Sequence, residues 1–369
     1  MHGVSMVRPL TIRVLAPADD PMSYHFLYPL RVVRRELRRR SVRVASRRVV
    51  SHDLVRGDLL LVLSSFFARP RSVPADEVVR LLRTWSRKVP VMWCDVWDST
   101  GSVVAEVLPH VATYAKKQLT VDRSVYTRPL YGGRWFTDRI HREYGIRDSA
   151  PAISRPIAEV HLDRMRVSWN LGLGQLAPRR ELWRIFLRGR TIGYERRWVP
   201  PHRRRTVDIH ARMQWRYPRR TVGWQRERVQ EALSELSREW RVSFKGRVSG
   251  PRFRRELAAS RVVASPFGWG EICYRDFDGW AAGAAVVKPE MDAIETWPPL
   301  YERGVTYAPC AWDGSDARER LEELLLDEAM RTRIAREGQR RYRTALGREG
   351  MAMFCDHFLG LVESTLRAR

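Results

Sequence analysis

The first part of the chain alternates between short apolar runs and longer segments with the apolar spacing of a helix. At Asp58–Leu63 the apolar run is continuous, which is typical of a strand buried on both faces of a parallel sheet. Further strands are predicted at Thr11–Ala16, Ser41–Ala45, Val89–Cys94 and Val111–Tyr114, and helices at Phe26–Arg40 and Ala75–Arg87. Strands and helices in this alternating order predict a doubly wound α/β domain.

A similar alternation follows a proline-containing stretch at 150–163 that has the character of a linker. It predicts strands at Met165–Trp169, Val207–Met213 and Arg241–Phe244, and helices at Arg180–Leu187, Arg226–Arg238, 316–343 and Gly350–Leu366. Domains usually hold ~100–200 residues, so the length of the chain indicates two of them. We expect an N-terminal domain at 1–160, a C-terminal domain at 161–345 and a separate last helix within 346–369, with the strand at Met165–Trp169 opening the second domain.

The segment Arg261–Lys288 predicts a ligand site, since it has the pattern of a buried strand, a glycine-containing turn, a helix and a second buried strand. With about 100° per residue, a helix at Ile272–Ala282 places an acid–base–acid stripe opposite an apolar face. The stripe consists of Glu271, Arg275 and Asp278, and the apolar face of Cys273, Phe277, Trp280, Ala281 and Ala284. We expect the apolar face to pack on a sheet and the stripe to face a cleft.

The turn in front of this helix is suited to an anion. Gly268 and Gly270 allow the backbone to approach a ligand closely, and the helix N-terminus offers free N–H groups and the positive end of its dipole. Gly283 fits a helix C-cap, and Lys288 ends the next strand, where open α/β sheets bind ligands. The alternative interpretation is an ordinary amphipathic helix with a solvated ion pair.

This segment resembles the donor-binding segment of GT-B glycosyltransferases of the group-1 type. The residues that match in order are Ser265, Pro266, Gly268, Gly270, Asp278, Ala281, Gly283, Val286 and Val287. The resemblance covers roughly residues 241–300. It implies two Rossmann-like domains that face a cleft, with a C-terminal helix that crosses back to the N-terminal domain. It also implies that Asp278 binds the ribose of a nucleotide sugar and that the glycine-rich turn holds the diphosphate.

The acids of this segment depart from the group-1 pattern, which often has two acids with seven residues between them. That spacing places the first acid at Gly270, whereas the nearest carboxylate is Glu271. Arg275 stands three positions before Asp278, which is similar to the exostosin-like pattern of arginine, two residues and acid. A guanidinium at that position can bind a phosphate with two hydrogen bonds.

A second group of candidates, Trp93–Gly101, follows a strand of the first domain. Asp95 and Asp98 are candidates to hold an acceptor hydroxyl or act as a general base, and Trp93 and Trp97 to stack on a sugar. The alternative is turn or helix-cap chemistry, which suits Asp-Ser-Thr-Gly equally well. We also expect Ser99 of this segment, and Lys116 and Lys117 further along the chain, to contact the acceptor.

Three other places carry weaker candidates. The resemblance implies that Lys245 and Arg247 follow a strand that ends beside the nucleotide phosphates. The glycine-containing loop 170–174 is another place where the backbone could approach the diphosphate closely. His25 and His210 are isolated histidines near predicted strand ends, and such histidines are more often structural than catalytic.

Charge distinguishes this chain from an average soluble protein. It has 67 Lys and Arg against 42 Asp and Glu, a net charge of +25, and only five of the basic residues are lysine. Residues 179–255 hold 23 basic against seven acidic residues, and 31–48 are also strongly basic. Such a field attracts anions, whether a nucleotide, an anionic membrane leaflet or nucleic acid. The alternatives are a solvated surface and a bias of codon composition toward arginine.

Composition also limits the class of protein. Residues 1–20 lack the apolar core of a signal peptide, and the longest apolar run, Leu59–Ala68, is far shorter than the ~20 residues of a spanning helix. The four cysteines are scattered, which indicates reduced thiols and a cytosolic compartment, and no His/Cys cluster has metal-ligand spacing.

We therefore expect a hexosyltransferase-like GT-B enzyme with a nucleoside-diphosphate sugar as co-substrate and no other cofactor or metal. The C-terminal domain would bind the donor, and Arg275 would stabilise the leaving diphosphate. The acceptor would be a glycan, as in polysaccharide biosynthesis, a lipid-linked glycan or a small molecule, bound in the cytoplasm or at the inner membrane face. The resemblance implies retention at the anomeric carbon. The alternatives are transfer to DNA bases and a non-catalytic nucleic-acid-binding protein.

Overall fold

The computed structural model describes residues 8–17, 20–68, 73–175, 194 and 196–368. The strands are β1 (Leu10–Leu15), β2 (Val42–Arg47), β3 (Leu59–Leu63), β4 (Val91–Asp95), β5 (Thr113–Lys116), β6 (Gln118–Thr120), β7 (Met165–Val167), β8 (Val207–His210), β9 (Val242–Ser243), β10 (Ser260–Ala264), β11 (Ala285–Pro289), β12 (Ile294–Thr296) and β13 (Ala308–Cys310). The helices are α1 (Pro21–Val32), α2 (Arg34–Arg39), α3 (Ala75–Ser86), α4 (Trp135–Tyr144), α5 (Arg220–Leu236), α6 (Gly250–Ala258), α7 (Tyr274–Ala281), α8 (Ala317–Leu326), α9 (Glu328–Leu346) and α10 (Arg348–Arg367).

The first domain is built on a parallel sheet with the strand order β2-β1-β3-β4-β5-β7. Strand β3 is fully buried because helices cover both of its faces, as its continuous apolar run predicted. Helices α1, α2 and α10 lie on one face and α3 on the other. The carboxyl ends of these parallel strands therefore share one edge of the sheet.

The second domain repeats the design with the parallel order β13-β11-β10-β8-β9. One face packs on α5, α8 and α9. The other face packs on α7 through Phe277 and Trp280, which confirms the predicted apolar side of that helix. Two doubly wound sheets with covered faces are the architecture that the strand and helix pattern predicted.

The last helix, α10, leaves the second domain and packs on the first. Phe354 and Phe358 are fully buried in the core that covers β1 and β3. The Thr365 hydroxyl donates a hydrogen bond to the Thr113 hydroxyl, at 2.8 Å. The return of the last helix to the first domain is therefore confirmed.

Several element boundaries differ from the predictions. Strand β7 pairs with β5 in the first sheet, so the prediction that Met165–Trp169 opens the second domain was wrong. The segment Phe26–Arg40 is not one helix: α1 starts earlier, at Pro21 after an Asp20 cap, and ends at Val32 before α2. The segment 316–343 is likewise two helices, which meet at Asp327. The helix predicted at Arg180–Leu187 lies outside the described residues.

The two domains are joined by more than the linker. Strand β6 of the first half pairs antiparallel with β12 of the second. Helix α4 precedes the predicted boundary at 160, yet Phe136 and Ile140 pack with Phe267 and Ile272 of the second domain. The boundary itself stays a prediction, but α4 is part of the second domain's packing.

Within the described part of the chain, no helix combines the length and the apolar character that crossing a bilayer demands.

We expect Phe354→Ala to destabilise the protein by about 3–5 kcal/mol, because it empties a fully buried aromatic site. Met353→Ala is the matched control, since Met353 is the preceding residue of α10 and is 52% exposed. Urea unfolding measures both. Equal, small effects would show that α10 does not hold the first domain's core together.

Candidate functional site

Helix α7 begins with a capping box that uses the carboxylate of Asp276. The backbone N–H of Cys273 donates to Asp276 Oδ2 at 3.1 Å, and the cap shortens the predicted helix by two residues at its start. The Ser265 and Tyr301 hydroxyls donate to the same carboxylate, at 2.5 and 2.7 Å. These bonds fix the N-terminus of α7 against the carboxyl end of β10.

Lys288 completes this buried network. Its Nζ lies 3.1 Å from Asp276 Oδ2 and donates to the Glu271 carbonyl oxygen at 2.5 Å. Both Lys288 and Asp276 are fully buried. Lys288 therefore orients the N-terminus of α7, and its role in donor binding stays a prediction.

Glu271, which we also expect to contact the donor, joins the two domains. Its fully buried carboxylate accepts hydrogen bonds from Ser99 Oγ at 3.2 Å, from Thr100 Oγ1 at 2.9 Å and N at 3.0 Å, and from Gln118 Nε2 at 3.1 Å. All three donor residues belong to the first domain. Ser99 is thereby a buried partner of Glu271, and its contact with the acceptor stays a prediction.

Gly270 also allows the two domains to touch here, because it has no side chain. A Cβ at this position would collide with the backbone carbonyl of Asp98. The glycine-rich turn of the second domain therefore lies directly against the Asp95–Thr100 segment of the first.

Asp95 and Lys116 form a fully buried pair, with Lys116 Nζ 2.9 Å from Asp95 Oδ2. The Tyr114 hydroxyl and the Trp97 backbone N–H also donate to Asp95, at 2.6 and 2.9 Å. Burial lowers the pKa of Lys116, although the charge of Asp95 opposes that shift. Both side chains are buried and fix the loop that leads to Asp98. The catalytic role of Asp95 and the acceptor-binding role of Lys116 stay predictions. Trp93 is buried as well.

Asp98 is the acid of this segment that reaches solvent, with its side chain 43% exposed. It pairs with Nζ of the buried Lys117 at 2.9 Å. Burial raises the pKa of Asp98, but the charge and hydrogen bond of Lys117, with Lys116 and Arg134, outweigh it and leave that pKa below its ordinary value. Asp98 is therefore an ionised acceptor of hydrogen bonds at neutral pH.

Asp278 lies on α7, with its side chain 36% exposed and Arg196 NH1 at 3.5 Å. Burial raises the pKa of Asp278, and the charges of Arg196 and Arg275 oppose the shift. The pKa of Tyr274, one turn earlier on α7, is raised by burial and by the charges of both Asp98 and Asp278. Tyr274 is therefore near one carboxylate from each domain.

Two guanidinium groups flank the glycine-rich turn. Arg275 NH2 donates to the Pro266 carbonyl at 2.7 Å, and its buried Nε has no hydrogen-bond partner among the described residues. Arg226 is buried and donates from Nε to the Phe267 carbonyl at 2.6 Å, and a Cβ at Gly268 would press on its NH2. Burial and the charge of Arg275 lower the pKa of Arg226 to about 10. Sequence reasoning missed Arg226, because nothing in a helix pattern reveals that it reaches a turn 41 residues later.

The two histidines differ in their partners. The His25 Nε2 atom lies 3.0 Å from the Leu171 carbonyl, and a side chain at Gly174 would collide with the His25 ring, so the loop 170–174 is closed around it. His210 ends β8 fully buried, and neither ring nitrogen has a hydrogen-bond partner in the described structure. Burial lowers the pKa of each histidine to about 4.

The remaining candidates lie at the surface. Lys245 and Arg247 are exposed on the loop after β9. Trp97 is exposed beside Asp98, and Trp269 is exposed beside Gly270 with the Arg134 guanidinium 5.3 Å from its ring centre. Trp97 and Trp269 thus come from segments of different domains that touch each other. In the described ranges, no three His, Cys, Asp or Glu side chains are grouped to hold a metal ion.

Comparison with known proteins adds a family match. Residues 190–346 match the family model described as glycosyl transferase-like. No curated protein matches the sequence significantly.

Among solved structures, the chain is similar to HepE of Anabaena in complex with UDP, with 12% identity, 96% of this chain and 100% of that chain covered and a TM-score of 0.47. An alpha-glucosyltransferase in complex with UDP and a 13-mer DNA containing a HMU base has 12% identity, coverage of 96% and 100%, and a TM-score of 0.44. A glycosyltransferase from Rickettsia africae has 9% identity, coverage of 97% and 99%, and a TM-score of 0.45.

The family match over residues 190–346 confirms the predicted glycosyltransferase domain. The two parallel sheets and the returning helix α10 confirm the predicted GT-B architecture.

We expect Lys288→Met to destabilise the protein by about 3–5 kcal/mol, since it leaves the Asp276 carboxylate buried without its cation. Lys245→Met should change the free energy of unfolding by no more than about 0.5 kcal/mol, because Lys245 is exposed. Urea denaturation of both variants measures this. A stable Lys288→Met protein that has lost only nucleotide binding would place Lys288 in the donor site instead.

The low pKa of His210 predicts a pH-dependent stability. The unfolded chain takes up a proton near the ordinary pKa of 6.5, while the folded chain does so only near about 4. The contribution of His210 is therefore fully present above pH 6.5 and is lost as the pH falls toward 4, at up to ~1.4 kcal/mol per pH unit.

We expect His210→Leu to make the loss of stability between pH 6.5 and 5 shallower than in the wild type, because the proton uptake of the unfolded state disappears. Thermal unfolding across this pH range measures the slope. The exposed His52 provides the control as His52→Leu. If the slope of His210→Leu equals that of the wild type, His210 is not buried as a neutral ring.

Proposed function

We propose that this glycosyltransferase binds a nucleoside-diphosphate sugar at the N-terminus of α7 and transfers the glycosyl group to a hydroxyl held at Asp98. The observation that carries the proposal is a pair of partly exposed carboxylates, Asp278 on α7 and Asp98 on the segment of the first domain that touches the turn before α7. The family match covers the domain that would bind the donor.

The diphosphate fits the α7 N-terminus and the two guanidinium groups beside it. Arg275 offers a buried Nε without a partner in the described chain, and Arg226 donates to the carbonyl oxygens of Phe267 and Gln214. Two neighbouring cations without a carboxylate between them favour a ligand with several negative charges. Asp278, with its carboxylate open to solvent and Arg196 beside it, is placed to accept hydrogen bonds from ribose hydroxyls.

In the proposed transfer, the protein positions the donor and the acceptor and stabilises the charge of the leaving group. The bond between the anomeric carbon and the diphosphate oxygen breaks, and its electron pair leaves with the diphosphate. The acceptor oxygen forms the new bond to that carbon, and its proton passes to Asp98 or to the departing phosphate. Arg226, Arg275 and the helix N-terminus stabilise the negative charge of the leaving group, which is a role that fixed cations can fill without a metal.

The acceptor would lie between Asp98 and the exposed tryptophans. Asp98 orients a hydroxyl, and Trp97 and Trp269 offer aromatic faces for a sugar ring or another flat group. A glycan or a lipid-linked glycan meets both requirements. We keep retention at the anomeric carbon as part of the proposal.

Nucleotide-dependent stabilisation tests the donor site. We expect one of UDP, GDP, TDP, CMP and ADP to raise the melting temperature, because a ligand that binds only the folded state stabilises it by about 2.7 kcal/mol at a hundred times its dissociation constant. Asp278→Asn should weaken that nucleotide at least about tenfold, the cost of roughly one lost hydrogen bond to a charged group.

Asp292→Asn is the control for this test, since Asp292 is an exposed acid of the same domain that pairs with Arg303. It should bind the nucleotide like the wild type. If no nucleotide raises the melting temperature while duplex DNA does, the chain is a nucleic-acid-binding protein instead.

A further inference from the structure

The free edge of the first sheet concentrates positive charge. Strand β2 is the outermost strand, and α2 packs beside it. Residues 31–56, which include both elements, contain ten arginines against two acids, Glu36 and Asp53. This segment is used neither by the donor site nor by the acceptor site.

Several of these arginines have no acid within ion-pair distance in the described part of the chain. Glu36 is taken by Arg39 and Arg40. Asp53 is taken by Arg13 and Arg47. The exposed arginines Arg34, Arg35, Arg38 and Arg43 have no carboxylate within ion-pair distance in the part of the chain that the structure describes. The edge therefore presents uncompensated positive charge along its length.

An apolar tip stands at one end of the charged edge. Val49 and Val50 follow β2 directly and are 60% and 46% exposed. Charged side chains on an edge strand are a common protection against pairing with another sheet. Two exposed valines near the end of the same strand favour contact with another apolar surface. Prevention of sheet pairing therefore does not explain both the arginines and the valines.

This tip lies on the side of the domain that faces the cleft. The strands of the first sheet are parallel, so the carboxyl end of β2 shares an edge with the carboxyl end of β4, which leads to Asp98. The two strands are three positions apart, or about 14 Å at ~4.8 Å per strand. A flat partner on the β2 edge would therefore lie beside the proposed acceptor position.

We propose that the β2 edge docks on a bilayer of anionic phospholipid, with the arginines against lipid phosphates and Val49 and Val50 inserted at the level of the headgroups. A bilayer uses both features, because peripheral proteins combine electrostatic attraction with buried apolar area. Nucleic acid would contact only the arginines, because its phosphates bind cations but provide no apolar surface for the two valines. The proposal does not depend on the transfer reaction.

Sedimentation of the full chain with vesicles tests the docking. We expect binding to vesicles of phosphatidylcholine mixed with phosphatidylglycerol, little binding to phosphatidylcholine alone, and weaker binding as salt rises. The combined change of Arg34, Arg35 and Arg38 to Gln should weaken binding about a hundredfold, since each arginine near the surface contributes a factor of about five. The combined change Val49→Ser and Val50→Ser should weaken it at least about fivefold.

Two controls separate the β2 edge from overall charge and exposure. Changing Arg147, Arg220 and Arg238 to Gln removes the same charge from exposed positions elsewhere. Val160→Ser alters a valine that is 75% exposed outside the edge. Both controls should bind vesicles like the wild type.

Three results would overturn the proposal: no binding to anionic vesicles, equal losses in the control variants, or tight binding to duplex DNA that the valine changes leave untouched while vesicle binding is absent. Nucleotide binding by the same samples shows whether the donor site is intact, so a failure here is distinct from a failure of the proposed function.

Discussion

One buried carboxylate ties the two domains together at the turn before α7. Glu271 belongs to the turn that precedes α7, yet its hydrogen bonds come from Ser99, Thr100 and Gln118 of the first domain. A charge buried in this way must keep all of its donors, because each lost bond leaves it unsatisfied in a medium that cannot solvate it. The position of Asp98 relative to α7 is therefore set by Glu271, and with it the spacing of the two exposed acids.

The few lysines of this arginine-rich chain are mostly buried in ion pairs. Three of the five lysines are buried against an aspartate: Lys116 with Asp95, Lys117 with Asp98 and Lys288 with Asp276. A compact ammonium group fits a closed space with one carboxylate, whereas the planar guanidinium of the buried Arg226 donates to two backbone carbonyl oxygens beside the glycine-rich turn.

The strands and helices could be predicted from the sequence, whereas the contacts between distant side chains could not. The continuous apolar strand Leu59–Leu63 and the apolar face of α7 are local patterns, so the sheets and their helices follow from them. The partner of an acid is not local: Glu271 and Thr100 are 171 residues apart in the chain, and no spacing rule connects them. Helical periodicity places Glu271, Arg275 and Asp278 on one stripe, but it does not say that Glu271 is buried by another domain. The contacts of Arg226 and Arg196 escaped prediction for the same reason, while Asp98 and Asp278 are partly exposed and their roles stay predictions.

The docking of α4 on the second domain limits how this enzyme can be divided. A cut at the linker would keep α4 with the first half, where Phe136 and Ile140 would lose their apolar partners, and it would leave α10 with the second half, far from the core that it covers. Each half would thus carry an orphaned helix and lack one that it needs. A chimera that exchanges second domains between such enzymes must move α4 with the incoming domain and keep β7 and α10 with the resident one, so the exchangeable unit is discontinuous in sequence.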